Sequence, residues 1–296
     1  MADVVGCTTV GYLRFPLVRA LDGIAAAGLQ NVDLAAIPDY CEHISPLADR
    51  AETNRLQSEL QDRGLRALSI SAHTTIASVD GYRHIRACIE YASTIGAGIV
   101  NTGTGPIGDD AATFFRHAAE LVKVAERLGV VLALETQDWE MTSGAGALAL
   151  LDKLGSSNVK VNLDAANIVY WGGRKAEEEI DLLAPHVAHV HVKDKRGGRG
   201  VYDFPSLGDG EIDYGKIFSS LDAVGFDGPY MIEPELSLAE AERPPAEVEE
   251  ALRDPGSAYQ RHTYLGTSNA EEVDADLARS LATFAALRGA SYSPSA

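Results

Sequence analysis

Residues 125–134, AERLGVVLAL, close one element and open another around a single glycine, Gly129. Before it, over Asp109–Leu128, the residues Phe114, Phe115, Ala118, Leu121, Val122 and Ala125 fall on one helical stripe. After it comes an unbroken apolar run with the character of a buried strand. Glycine closes a helix in the left-handed conformation without a steric penalty, so the stretch reads as helix stop, short turn and strand. The same unit recurs at AAAGLQNVDL (25–34), QDRGLRALSI (61–70) and LDKLGSSNVKV (151–161).

Eight β-rich runs are spread along the chain: DVVGCTT, NVDLAA, LRALSISAH, GAGIVNTG, VVLALET, VKVNLD, VAHVHVKD and YMIEPE. Strands alternating with amphipathic helices require crossover connections and hence a parallel sheet. Eight such units in about 250 residues predict an α/β fold, a (β/α)8 TIM barrel, and no G-x-G-x-x-G follows the first strand to suggest a doubly wound sheet. Residues 1–290 are expected to form one barrel domain and 291–296 a disordered tail. Two segments break the period. A glycine-rich loop, Lys195–Ile212, follows the seventh strand and is read as the specificity element. An insertion, Pro234–Glu271, follows the eighth strand and precedes a last helix over Val273–Leu287; it reads equally as a lid, a partner surface or a solvated segment.

Composition narrows the function. With 25 basic and 43 acidic residues the net charge is −18, which argues against nucleic acid as a partner. Cys7, Cys41 and Cys88 are odd in number and widely spaced, so neither a disulfide framework nor a thiolate zinc site is indicated. The N-terminus has no basic start followed by an apolar run, and no stretch of roughly 18 apolar residues occurs. The reading is a cytoplasmic protein that does not span a membrane.

In a barrel of this kind the site lies at the C-terminal strand ends. The polar residues there are His73, Asn101, Glu135, Asp164, His191 and Glu233. Three carboxylates and an imidazole converging on one mouth repel or take up protons unless a divalent cation organises them. Oxygen and nitrogen ligands without sulfur suit Mn²⁺, Mg²⁺, Co²⁺, Fe²⁺ or Zn²⁺. His189 and His191 share a strand face, but His191 lies nearer the mouth and His189 one layer deeper. His186 and Asp194, of opposite parity, should point toward the helices.

The series LALET (132–136), VNLDAAN (161–167), HVHVKDK (189–195), LGDGEIDY (207–214) and GPYMIEPE (228–235) resembles the xylose isomerase-like TIM barrels grouped as sugar phosphate isomerases and epimerases. The resemblance implies one divalent metal ion, manganese first, held by Glu135, Asp164, His191 and Glu233. It implies that Glu135 and Glu233 transfer protons through a metal-stabilised enediolate of a keto-sugar or cyclitol, as an isomerase or epimerase. His73 would support the ligands, touch substrate or simply pack. Lys193 would neutralise an enolate or form an edge salt bridge. Arg196, Arg199 and Tyr202 could meet a polyhydroxylated substrate, and Trp139 and Trp171 could wall the sugar ring.

Two departures bear on the branch. Ketose 3-epimerases carry a histidine where this chain has Asn167, and a second glutamate where it has Met141, which leans the reading toward inosose dehydratases and isomerases. The alternative is a lyase at the same site: an inosose-type dehydratase, or a C-glycoside deglycosidase catalytic subunit with a small partner subunit. A metal-free sugar-binding protein is a further alternative. Endonuclease IV needs more histidines than are present. The family analogy also implies a homo-oligomer.

Overall fold

Gly129 and Gly155 adopt positive φ of 67° and 63°, and each ends a helix directly before a strand, as the sequence unit predicts. The structure, a computed structural model, describes residues 3–105, 107, 111–138, 140–235 and 269–289. The expected terminal tail and most of the Pro234–Glu271 insertion lie outside them.

The strands are β1 (Val4–Thr8), β2 (Asn31–Ile37), β3 (Cys41–Glu42), β4 (Arg66–Ser71), β5 (Ile99–Thr102), β6 (Val131–Glu135), β7 (Val159–Asp164), β8 (Val187–Val192) and β9 (Pro229–Ile232). The main helices are α1 (Leu17–Ala26), α2 (Arg50–Gln61), α3 (Val79–Ile95), α4 (Ala111–Leu128), α5 (Gly144–Leu154), α6 (Ala176–Leu183), α7 (Tyr214–Ala223) and α8 (Ala270–Arg288). β1 pairs in parallel with both β2 and β9, so the sheet closes. The result is an eight-stranded parallel (β/α)8 barrel with no edge to protect. β3 is one strand more than the sequence reading anticipated, a short antiparallel addition to β2 through Ala36↔Glu42 and Ile37↔Cys41. Two residues are too few to show a hydrophobic period. α8 begins three residues before the expected Val273, because Asn269 and Glu272 form a reciprocal capping box.

The apolar core lies between barrel and helices. Val32, Leu34, Ile70, Val100, Leu132, Leu134, Val161, Leu163, Val190, Val192 and Ile232 all point outward into it. The alternate residues point inward, and many are polar: Asp33, Ser69, Ser71, Asn101, Asn162, Asp164, His189 and His191 are all buried. TIM-barrel interiors are ordinarily packed with branched aliphatic side chains. Here the lumen stays dense by hydrogen bonding, since buried polar groups must be paired. Ser69 Oγ meets His189 Nε2 at 2.9 Å, and His189 Nδ1 meets Asn162 Oδ1 at 2.8 Å. Lower down, Gly6 makes room for Met231, since a β-carbon there would come within 2.5 Å of the Met231 sulfur.

α8 seals the seam where first and last strands meet. Phe284, fully buried, packs against Phe218 of α7 and Tyr230 of β9. Arg288 stands over the same two rings and pairs with Asp3 and Asp222 at 2.8 Å. At its other end Asp274 accepts from the Tyr12 hydroxyl at 2.7 Å and pairs with Arg19. Phe284→Ala is therefore expected to lower unfolding free energy by about 3–5 kcal/mol, read from the urea midpoint at unchanged slope. A loss below 1 kcal/mol would mean that α8 is not part of the cooperative unit.

Candidate active site

The strand ends deliver His73, Glu135, His191 and Glu233 to the lining of one cavity of about 380 Å³, with Asp164 fully buried behind it. Glu135 closes β6, Asp164 closes β7, His191 lies one residue from the end of β8, and Glu233 follows β9. Asp164 also caps the next turn, its Oδ1 accepting from Asn167 N–H at 2.9 Å. That turn, Ala165–Asn167, continues as a π-helical turn over Ile168–Gly172. Such wide turns recur at functional sites, and this one brings Asn167, Tyr170 and Trp171 to the cavity wall.

His191 is the centre of the cluster. Its Nδ1 lies 3.2 Å from Glu135 Oε2 and 3.0 Å from Glu233 Oε2, while Nε2 lies 3.1 Å from Asp33 Oδ2. Ligand atoms of Glu135, Asp164 and His191 lie within 4.8 Å of one another. Lys193 Nζ approaches Asp164 at 3.1 Å, Glu233 at 3.3 Å and Glu235 at 2.7 Å. Burial and the neighbouring carboxylates push Asp164 up to about 7 despite the opposing pull of Lys193. Burial alone would raise Glu135, but His73 and His191 hold its carboxyl well below the ordinary range. Burial disfavours charge on His191, yet Glu233 and Glu135 raise it well above the usual imidazole. The cluster thus contains more negative charge than its own cations satisfy.

Orphaned oxygens say the same. Asp164 Oδ2 and Glu233 Oε2 are buried without a hydrogen-bond partner, their approaches to Lys193 and His191 being charge contacts outside hydrogen-bond geometry. Buried carboxylate oxygens left open in this way fit a divalent cation. Glu135, Asp164, His191 and Glu233 are the residues that could hold it.

The other expected site residues divide. His73 lies beside Glu135, Nε2 to Oε2 at 3.2 Å. Gly103 N–H donates to its Nδ1 at 3.1 Å, so the backbone selects the Nε2–H form even though Glu135, against the effect of burial, raises the ring's proton affinity. Asn167 donates to Glu135 Oε1 at 2.6 Å. Lys193 lines the cavity, whereas Arg196 does not. Arg196 turns instead to the Asp209 carbonyl at 2.8 Å and to Asp203 at 3.9 Å, with about half its side chain exposed. Trp139 lies outside the described residues. Trp171 lines the cavity, as do Tyr40, Tyr170 and Phe204. His189, hydrogen-bonded at both nitrogens, is driven down to about 3 by burial and by His191, and is neutral.

Sequence reasoning missed Asp33, Asn162 and Glu235. Asp33 is an acidic residue in the middle of an apolar strand, Asn162 stands two residues before Asp164 on the same face of β7, and Glu235 stands two residues after Glu233, beyond the end of β9. Those spacings were the available signal. Asp194, expected to point away from the lumen, organises the long loop: its carboxylate accepts from the N–H groups of Lys195, Gly208, Gly210 and Ile212 at 2.8–3.3 Å. Asp213 caps α7, its Oδ1 accepting from Lys216 N–H at 2.9 Å. Hydrogen bonds to a buried charge are strong, so Asp194→Ala should speed amide exchange at Gly208, Gly210 and Ile212 by at least tenfold while β5–β7 amides keep their protection. Unchanged exchange at these amides would show that the loop holds its shape without this residue.

Comparison with known proteins places this geometry among relatives. The L-ribulose-5-phosphate 3-epimerase UlaE of Salmonella paratyphi A is 28% identical over 219 residues, 68% of this chain and 75% of that protein. The D-allulose 3-epimerase of Methylomonas sp. superposes with a TM-score of 0.70 at 17% identity, covering 97% of this chain and 98% of that one. A xylose isomerase-like TIM barrel protein of Mycobacterium smegmatis, solved in complex with magnesium, gives 0.67 at 18% identity over 94% and 100% of the two chains. At these identities the solved structures speak for the fold. The two relatives named by activity are 3-epimerases, and they lend no support to elimination chemistry. Residues 21–254 match the family model described as xylose isomerase-like TIM barrel, and the chain belongs to that family.

Proposed function

We propose that the protein is a divalent-metal-dependent epimerase or isomerase of an unphosphorylated keto-sugar or cyclitol. The observation that carries this reading is the convergence of Glu135, Asp164, His191 and Glu233 around open, buried carboxylate oxygens, in a chain related to sugar 3-epimerases. A bound divalent ion, manganese first among the candidates, supplies polarisation of the substrate carbonyl. Glu135 and Glu233 flank the same imidazole nitrogen and serve as the pair that removes and returns a carbon-bound proton. Asn162 and Asn167 fix the Glu135 carboxylate by hydrogen bonds at 2.8 and 2.6 Å, and His73 Nε2 stands 3.2 Å from it. Lys193 places positive charge beside the developing enolate oxygen.

The absence of a phosphate on the substrate follows from charge. Glu135, Asp138, Glu233 and Glu235 line the cavity, and among the described lining residues Lys193 is the one lysine or arginine. Three carboxylates already hold it. A phosphate dianion would meet repulsion where a hydroxyl finds acceptors.

Three outcomes test this reading. Elemental analysis after reconstitution should find one divalent ion per chain, absent from folded His191→Ala and Glu233→Ala variants. Incubation with free ketoses in D₂O should place solvent deuterium on carbon, with Glu135→Gln and Glu233→Gln slowing exchange about 10²–10⁴-fold. Free L-ribulose should be preferred over its 5-phosphate. Failure to bind metal would remove the mechanism, and a preference for the phosphate ester would refute the substrate class alone.

A further inference from the structure

We infer that Asp33 is a positioning residue, which locks the His191 ring so that Nδ1, and not Nε2, is the nitrogen offered to the cation. The inference rests on the metal-dependent reading above. It concerns a residue on β2, across the barrel from β8.

Asp33 is fully buried. Its Oδ2 accepts from Ser71 Oγ at 2.7 Å and from Asn101 Nδ2 at 3.2 Å. These two donors, from β4 and β5, hold the carboxylate in place independently of His191. The same oxygen lies 3.1 Å from His191 Nε2. An ionised carboxylate can only accept, so the proton of that bond belongs to Nε2.

The other side of the ring agrees. Asn162 Oδ1 is engaged by His189 Nδ1 at 2.8 Å, which directs the Asn162 amide group toward Glu135 Oε2 at 2.8 Å and His191 Nδ1 at 3.3 Å. An amide N–H facing Nδ1 asks that nitrogen to accept. In the neutral ring that a cation would require, both neighbours select the tautomer with the proton on Nε2, which leaves Nδ1 free to ligate on the side of Glu135 and Glu233. A carboxylate that takes the distal N–H of a ligating histidine fixes its orientation and raises its basicity.

Asp33 has a rival role, because its ligand atoms also group with those of His189 and His191 within 4.8 Å, and its Oδ1 is buried without a hydrogen-bond partner. His189 makes a poor ligand: Asn162 and Ser69 occupy both of its nitrogens. Asp33 thus acts through His191.

The test uses full-length protein labelled with ¹⁵N-histidine and loaded with Zn²⁺, a diamagnetic probe. His191 should show a protonated Nε2 with a slowly exchanging proton and a metal-bound Nδ1. Asp33→Asn keeps the shape and removes the charge; it should weaken Zn²⁺ binding about 10–100-fold and speed exchange of the Nε2 proton, with little change in melting temperature. A metal-bound Nε2 in the wild type overturns the inference, and this readout does not depend on any variant folding. So does a folded Asp33→Asn with wild-type affinity and exchange. Two ions per chain, one lost in Asp33→Asn, would make Asp33 a ligand instead. Absence of Zn²⁺ binding by the wild type would strike the metal-dependent reading itself.

Discussion

A buried imidazole between three carboxylates is the constraint around which this barrel is arranged. His191 meets Asp33 on one side and Glu135 and Glu233 on the other, and water reaches these groups only sparingly, from the cavity. Burying such charge is costly unless partners are supplied. The lumen supplies them strand by strand: Ser71 and Asn101 for Asp33, Asn162 and Asn167 for Glu135, Lys193 for Asp164 and Glu233. The polar interior is thus a support for the site, built on the rigid part of the fold.

Stability has consequently moved outward. With the lumen given over to hydrogen bonds, the apolar burial that holds the fold lies in the annulus between strands and helices. The seam between β1 and β9 receives its own fastening from α8, whose Phe284 and Arg288 bind the last strand, α7 and the N-terminal segment together. The mouth is fastened separately. Asp194 gathers four backbone N–H groups of the long loop, while its neighbour Lys193 faces the cavity. Alternating side-chain direction lets one short stretch serve both the loop and the site.

The chemical character of the cavity follows from the two kinds of side chain that line it. The carboxylates suit a cation and hydroxyl donors, and the rings of Tyr40, Tyr170, Trp171 and Phe204 suit the apolar face of a sugar ring. The chain belongs to the xylose isomerase-like TIM barrels, and an L-ribulose-5-phosphate 3-epimerase is among the proteins it is similar to. At the position of one departure from the ketose 3-epimerase pattern, Asn167 makes a direct hydrogen bond to Glu135, so a neutral amide does the orienting there. Met141, at the other, is buried.

The periodic signals were local and therefore legible. Gly129 and Gly155 mark helix ends because left-handed φ is a property of one residue, and the alternating apolar runs mark strands because side-chain direction has a period of two. Strand-end position likewise pointed to Glu135, Asp164, His191 and Glu233. What the sequence could not disclose depends on residues far apart in the chain. Asp33 meets His191 across 158 positions, and only closure of the barrel makes them neighbours. The tautomer of His191 and the burial of Lys193 are set by that closure. The same holds for Arg196, which turns away from the cavity because Asp203 and the Asp209 carbonyl lie on its other side. Local propensity selects elements, whereas the partner of a buried charge is chosen by packing in three dimensions.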